Sequence, residues 1–185
     1  MKNKKIKIGG FGGQGIVLAG YILGKAACIH DEKNATLTQS YGPESRGSSC
    51  SAQLIIGAEE IDYPKVSHPE ILMIMSQEAY DKFTPELARG GTLMYDEDLA
   101  KPTNNFGKTT KVYSIPATRY AEEIGKKLVA NIIMLGFFTA ISELITPVAM
   151  ENAIRSSVPK GFEELNLKAF KRGYESGLYK IKKKK

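Results

Sequence analysis

With 185 residues and 42% hydrophobic content, the chain can bury the core of one compact domain. No apolar run reaches the roughly 18–20 residues of a membrane span, and two cysteines without CxxC spacing exclude a disulfide framework, a zinc site and a self-contained iron–sulfur site. The net charge of +6 is carried by the ends: without Lys2, Lys4, Lys5, Lys7, Lys180 and Lys182–Lys185, 17 basic residues face 20 acidic ones, with none of the interleaved basic and aromatic residues that nucleic acid binding needs.

The basic start runs straight into a strand, Lys5 to Gly9, with no signal-peptide core, so the expected location is the cytoplasm. A glycine turn follows, and Gln14 to about Ile29 reads as a helix apolar nearly all round, hence buried. Gly20 and Gly24 share one face of it and allow close approach to a sheet. Asn34 to Gln39 is a threonine-rich strand, and a polar segment leads on to Ser49. Ala52 to Ile56 and Glu60 to Asp62 flank Gly57 and suggest a hairpin or bulged turn.

Ile71 to Met75 is fully apolar between Pro69 and Ser76, as in a central parallel strand. Ser76 is placed to cap a helix from Gln77 to about Phe83, and Pro85 opens another turn. Thr92 to Tyr95 and Val112 to Ile115 are strands, and Pro116 starts a helix. Leu128 to Leu144, Val148 to Ser156 and Glu163 to Ser176 complete a helical C-terminal third. Strand and helix alternate, which predicts an α/β fold: three layers, a mainly parallel sheet with helices on both faces, in one domain over 1–185. Residues 1–4 and 179–185 read as frayed basic tails.

The strongest local signal is Gly10-Phe11-Gly12-Gly13-Gln14-Gly15, a literal GxGxxG between a strand and a helix. Such a turn puts backbone N–H groups and a helix N-terminus at one end of the sheet, which suits an anion. A dinucleotide site would also need an acidic residue about 20 positions on, at the end of the second strand. That neighbourhood holds Thr38-Gln39-Ser40, while Asp31 and Glu32 lie before the strand. NAD binding is therefore disfavoured; a purely structural turn and a ligand- or partner-facing surface both stay open.

The second polar segment runs from Thr38 through Ser40, Tyr41, Glu44, Arg46 and Gly47 to Ser49. It should leave its strand at the rim that holds the glycine turn, where open parallel sheets bind ligands. Arg46 can grip phosphate in two places, and Tyr41 can stack or pack. The histidines, His30 and His68, read as surface or capping residues, and Met73, Met75, Met134 and Met150 as core or interface filler. The helix from Leu128 to Leu144 is too apolar for a surface, which leaves burial in its own domain or a subunit interface.

GFGGQG and TQSYGPESRG together resemble the gamma subunits of 2-oxoacid:ferredoxin oxidoreductases. EEIDYPKV, Glu59 to Val66, looks most like the 2-oxoglutarate-specific type, and LVANIIMLGFF sits where that family carries an ANIxxLG helix. The resemblance spans about Lys5 to Gly177, with one departure: Arg46-Gly47 is followed by Ser48 where the family commonly has a second glycine. It implies a subunit of an enzyme that decarboxylates a 2-oxoacid on thiamine diphosphate with magnesium, passes electrons through an iron–sulfur cluster to ferredoxin, and forms acyl-coenzyme A. The implied partners are alpha, beta and ferredoxin-like delta subunits, with a gamma–gamma homodimer as one arrangement. This chain would bind no cofactor alone and carry no catalytic group, but close the complex near the coenzyme A site. Gly12, Gly13, Gln14, Gly15, Ser40, Tyr41, Arg46 and Gly47 are the residues expected to face that ligand. A stand-alone NAD- or FAD-dependent oxidoreductase and a pure assembly subunit are the alternatives.

Overall fold

The computed structural model describes residues 2–40, 49–103 and 106–184. Tyr41, Arg46 and Gly47 lie outside the described residues. Six strands form one sheet: β1 (Lys4–Phe11), β2 (Asn34–Ser40), β3 (Ser49–Gly57), β4 (Ile71–Ile74), β5 (Thr92–Asp96) and β6 (Lys111–Ile115), in the order β2-β3-β1-β4-β5-β6. β1, β4, β5 and β6 pair in parallel, whereas β3 runs antiparallel to both β1 and β2. The sheet is mixed and mostly parallel, and the α/β expectation holds.

β3 corrects one expectation. A hairpin or bulged turn was expected around Gly57, but Ala52–Ile56 belong to the one strand Ser49–Gly57, with Ala52 and Leu54 fully buried, and Glu60–Asp62 form no second strand. The antiparallel pair of consecutive strands is instead β2 and β3, from Asn34 opposite Gly57 to Ser40 opposite Ser51. Gly57, the last residue of the strand, lets Asn3 lie close: a Cβ there would sit 2.6 Å from the Asn3 Cα.

Helices α1 (Ile16–Lys25), α3 (Ala117–Ile124), α4 (Ala130–Ser142), α5 (Pro147–Arg155) and α6 (Glu163–Lys184) share a core with Ile6, Ile8, Met73, Met94 and Ile115 on one sheet face. α2 (Gln77–Phe83) packs on the other face with Leu72, Ile74 and Leu93. Ser76 caps α2 by accepting from the Ala79 N–H at 3.2 Å. Gly20 lets α1 lie directly on β3, since a Cβ there would sit 2.7 Å from that of Ala52.

The helix that begins with α1 ends close to the expected Ile29, but its last turn has a different geometry. Ala26–His30 form a π turn, and the Asp31 and Lys33 N–H groups close it by donating to Ala26 and Ala27. The frayed C-terminal tail is not seen: α6 continues through Lys184. All of Ala130–Ala140 is buried, so α4 is burial within its own chain. Glycine makes that packing possible. A Cβ on Gly136 would lie 2.1 Å from the Phe170 carbonyl oxygen, and one on Gly173 would lie 1.9 Å from that of Ile133. All four singled-out methionines are core residues. Among the described residues no helix is long and apolar enough to cross a membrane.

Candidate functional site

The glycine turn projects from the carboxyl end of β1, at the point where the chain's strands diverge to β3 on one side and β4 on the other. In open α/β sheets this divergence leaves a crevice for ligands. Gly13 has φ +95° and Gly15 φ +72°, left-handed values that side chains rarely adopt. Gly12 and Gly13 are exposed, and space around Gly13 is open. Gly15 directly precedes α1, which has no side-chain cap, so no side chain takes up the first N–H groups at the positive end of the helix.

Gln14 plays another part than expected. Its Oε1 accepts from the Phe11 N–H at 2.7 Å, and its Nε2 donates to the Met75 carbonyl at 2.7 Å. Both ends of the amide are committed inside the fold, tying the turn to the end of β4. Asn131, 2% exposed, performs a similar service from α4: its Nδ2 donates to the Gly15 carbonyl at 3.1 Å. A Cβ on Gly15 would strike that nitrogen, so Asn131 can take this position only beside a glycine.

Beside the turn lies an apolar slot of about 280 Å³, bounded by Gly13, Met75, Leu99, Thr118, Lys127 and Leu128. Thr118 is held by Asp96 at the end of β5, whose carboxylate accepts from its N–H at 3.0 Å and its hydroxyl at 2.6 Å. Burial pushes the Asp96 carboxyl above its usual range, against the hydrogen bonds from Thr118 and Asp98 that lower it. Ser40, exposed, ends β2 opposite Ser51, which in turn pairs with Gly9. It therefore stands on the glycine turn's rim, two strands away.

Residues 5–176 match the sequence profile of the pyruvate ferredoxin/flavodoxin oxidoreductase family. The chain belongs to that family. It is similar to the 2-oxoglutarate synthase subunit KorC of Methanocaldococcus jannaschii, 50% identical over 93% of this chain and 92% of that protein. It is also similar to the gamma subunit of a keto/oxoacid ferredoxin oxidoreductase from Geobacter sulfurreducens PCA, with a TM-score of 0.85 and 36% identity over 95% of this chain and 99% of that one. A 2-oxoglutarate:ferredoxin oxidoreductase from Magnetococcus marinus, solved with 2-oxoglutarate, coenzyme A and succinyl-CoA, shares the fold at a TM-score of 0.87 and 18% identity. This chain covers 31% of that larger one.

Membership in the pyruvate ferredoxin/flavodoxin oxidoreductase family bears out the resemblance carried by the two loop motifs and the ANI helix. The structure brings Gly12, Gly13, Gln14, Gly15 and Ser40 to one rim. Sequence reasoning missed Asn131 and Asp96. Asn131 was legible as the only amide in an otherwise apolar helix start, whereas nothing local marks Asp96. Among the described residues no group of three or more His, Cys, Asp or Glu is placed to hold a metal ion. Cys28 is exposed and Cys50 buried, which raises the Cys50 thiol pKa.

Proposed function

We propose that this chain is the gamma subunit of a cytoplasmic 2-oxoglutarate:ferredoxin oxidoreductase, and that its glycine-turn rim completes the coenzyme A site of the complex. The substrate assignment rests on the 50% identity to a 2-oxoglutarate synthase subunit over nearly the full length of both proteins. The coenzyme A assignment rests on one observation: exposed Gly12 and Gly13 beside the uncapped, positive end of α1. A phosphate suits those N–H groups, and the neighbouring slot suits a narrow, largely uncharged chain. Thiamine diphosphate, magnesium and the iron–sulfur cluster are assigned to the alpha, beta and delta partners, with ferredoxin as the acceptor. On this reading the chain's own residues bind and orient, and none performs a chemical step.

The internally bonded Gln14 favours the competing reading, a turn that serves assembly alone. Kinetics of the reconstituted complex separate the two. Gly12→Asp places a carboxylate on an exposed turn, and Arg46→Ala removes the guanidinium of the second loop. Each should raise the KM for coenzyme A about tenfold, the effect of losing one charge-assisted contact, with kcat and subunit stoichiometry unchanged. Impaired assembly with normal coenzyme A kinetics in the remaining complex would establish the assembly role instead.

A further inference from the structure

The sheet face turned away from α1 carries a second feature, which the proposed function does not use. Register places Lys7, Gln53 and Thr38 side by side across β1, β3 and β2. Their strand neighbours Ile6, Ile8, Ala52, Leu54 and Leu37 point the other way, into the core beneath α1. The row is thus a polar floor on a sheet whose opposite face is apolar. α2 packs over β1 and β4, and next to it the surface opens into a groove of about 630 Å³. Small-molecule sites commonly enclose about 300–1,000 Å³. Its far wall is Tyr63–Ser67, the end of the EEIDYPKV segment and the residue after it, pinned by Val66 at 3% exposure, with Tyr63, Lys65 and Ser67 exposed.

Lys7 is only 4% exposed, an expensive place for an ammonium group without a counter-charge. It lies over the Phe83 ring at 4.9 Å and is ion-paired with Glu86, itself on the groove wall. The two partners differ in character. Lys7 is fixed in mid-strand, whereas the Glu86 side chain is 37% exposed on the short turn Thr84–Glu86 after α2. The Thr38 hydroxyl and Gln53 carboxamide line the same groove and have no hydrogen-bond partner among the described residues. The groove therefore holds one anchored cation, a second at Lys65, one displaceable carboxylate, and a row of available polar groups.

We propose that this groove binds a small organic anion, a carboxylate- or phosphate-bearing metabolite, whose charged group takes the place of Glu86 at Lys7. Thr38 and Gln53 then bond to the ligand's polar body, and Lys65 balances further negative charge. Glu86 is the resident stand-in: it keeps Lys7 paired when the groove is empty and swings towards solvent when the ligand enters. This site is separate from the glycine-turn rim and does not rest on the function proposed for it.

The test is a two-arm titration of the full chain followed by amide NMR at constant ionic strength, with 2-oxoglutarate as the carboxylate probe and pyrophosphate as the phosphate probe. The expected result is saturable shifts at Lys7, Thr38 and Gln53 with at least one probe; which probe saturates identifies the ligand class. Lys7→Met should weaken binding at least about tenfold, as loss of a buried charge partner does. Glu86→Gln should act in the opposite sense and tighten it, because a competitor is gone. If Lys7→Met does not fold, Glu86→Gln and the near-isosteric Thr38→Val decide: tightening in the first and weakening in the second uphold the site. No saturation below about 10 mM with either probe, a limit weaker than ordinary metabolite affinities, would overturn it. So would shifts confined to Gly12 and Gly13, or affinities unmoved by Glu86→Gln.

Discussion

At the level of single residues, the rim is held by side chains bonded within the fold. Gln14 and Asn131 fix the glycine turn from β4 and α4, and Asp96 fixes the start of α3. Asp31 does the same at the opposite edge, where its carboxylate accepts from the Thr146 N–H at 2.8 Å, the Thr146 hydroxyl at 2.6 Å and Lys33 at 3.1 Å. Burial alone would raise its pKa, but the bonds from Thr146 and Lys33 outweigh it and hold the carboxyl below the usual range. A carboxyl depressed in the folded state stabilises fully above its unfolded pKa, and that contribution is lost as pH falls through the folded value. Asp31→Asn should therefore cost about 1–3 kcal/mol at pH 7, the range for leaving a polar group poorly paired. In urea unfolding the gap from the parent protein should narrow below pH 4; a gap independent of pH would show that the charge of Asp31 is immaterial.

The same scale shows the limits of reading from sequence. GFGGQG disclosed its turn because left-handed glycines leave a visible signature, and the positive φ values of Gly13 and Gly15 follow from it. The target of the Gln14 side chain was hidden, because its partner, Met75, lies 61 residues away. Lys7 looked like one more lysine of a basic start. Its burial depends on Phe83 and Glu86, which only folding brings near.

Among the elements, α4 and α6 pack closely, with Gly136 and Gly173 where backbone meets backbone. Gly136→Ala and Gly173→Ala each force the helices apart and should lower stability by about 1–3 kcal/mol, the usual penalty of overpacking. Gly24→Ala in α1 is the control of opposite sign. Its Cβ would meet only Leu54 at 3.6 Å, an ordinary contact, so improved helix propensity should add about 0.5–1 kcal/mol. Equal effects of all three in denaturant unfolding would contradict this account of the interface. The existence of these helices was plain from their apolar pattern. Their finer course was not: the π geometry of Ala26–His30 and the continuation of α6 depend on contacts and on lysine's tolerance of helix, neither of which a period of 3.6 residues encodes.

For the molecule as a whole, strand order decides between ligand classes that share a glycine signature. In a dinucleotide-binding sheet the second strand lies beside the first and offers a carboxylate to the ribose. Here β3 separates them, so the end of β2 stands about 10 Å from β1, two strand spacings away, and presents Ser40. The absence of an acidic residue was readable in the sequence, but the intervening strand was not, since Ser49–Gly57 is apolar enough to pass for part of a local hairpin. Fluorescence titration with NADH should show no saturation below about 1 mM, well above ordinary cofactor affinities. A micromolar constant would restore the stand-alone reductase.

The reversed direction of β3 has a consequence for how this scaffold can vary. A crossover between parallel strands must travel the length of the sheet, and any change in it disturbs the helix it contains. An antiparallel return has no such duty: β2 ends at Ser40 and β3 begins at Ser49 at the same rim, with the two strands already paired. Residues can be inserted or removed there without moving a helix. The fold thus leaves the connection between Ser40 and Ser49 an adjustable length, while α1 and α4 stay where they are.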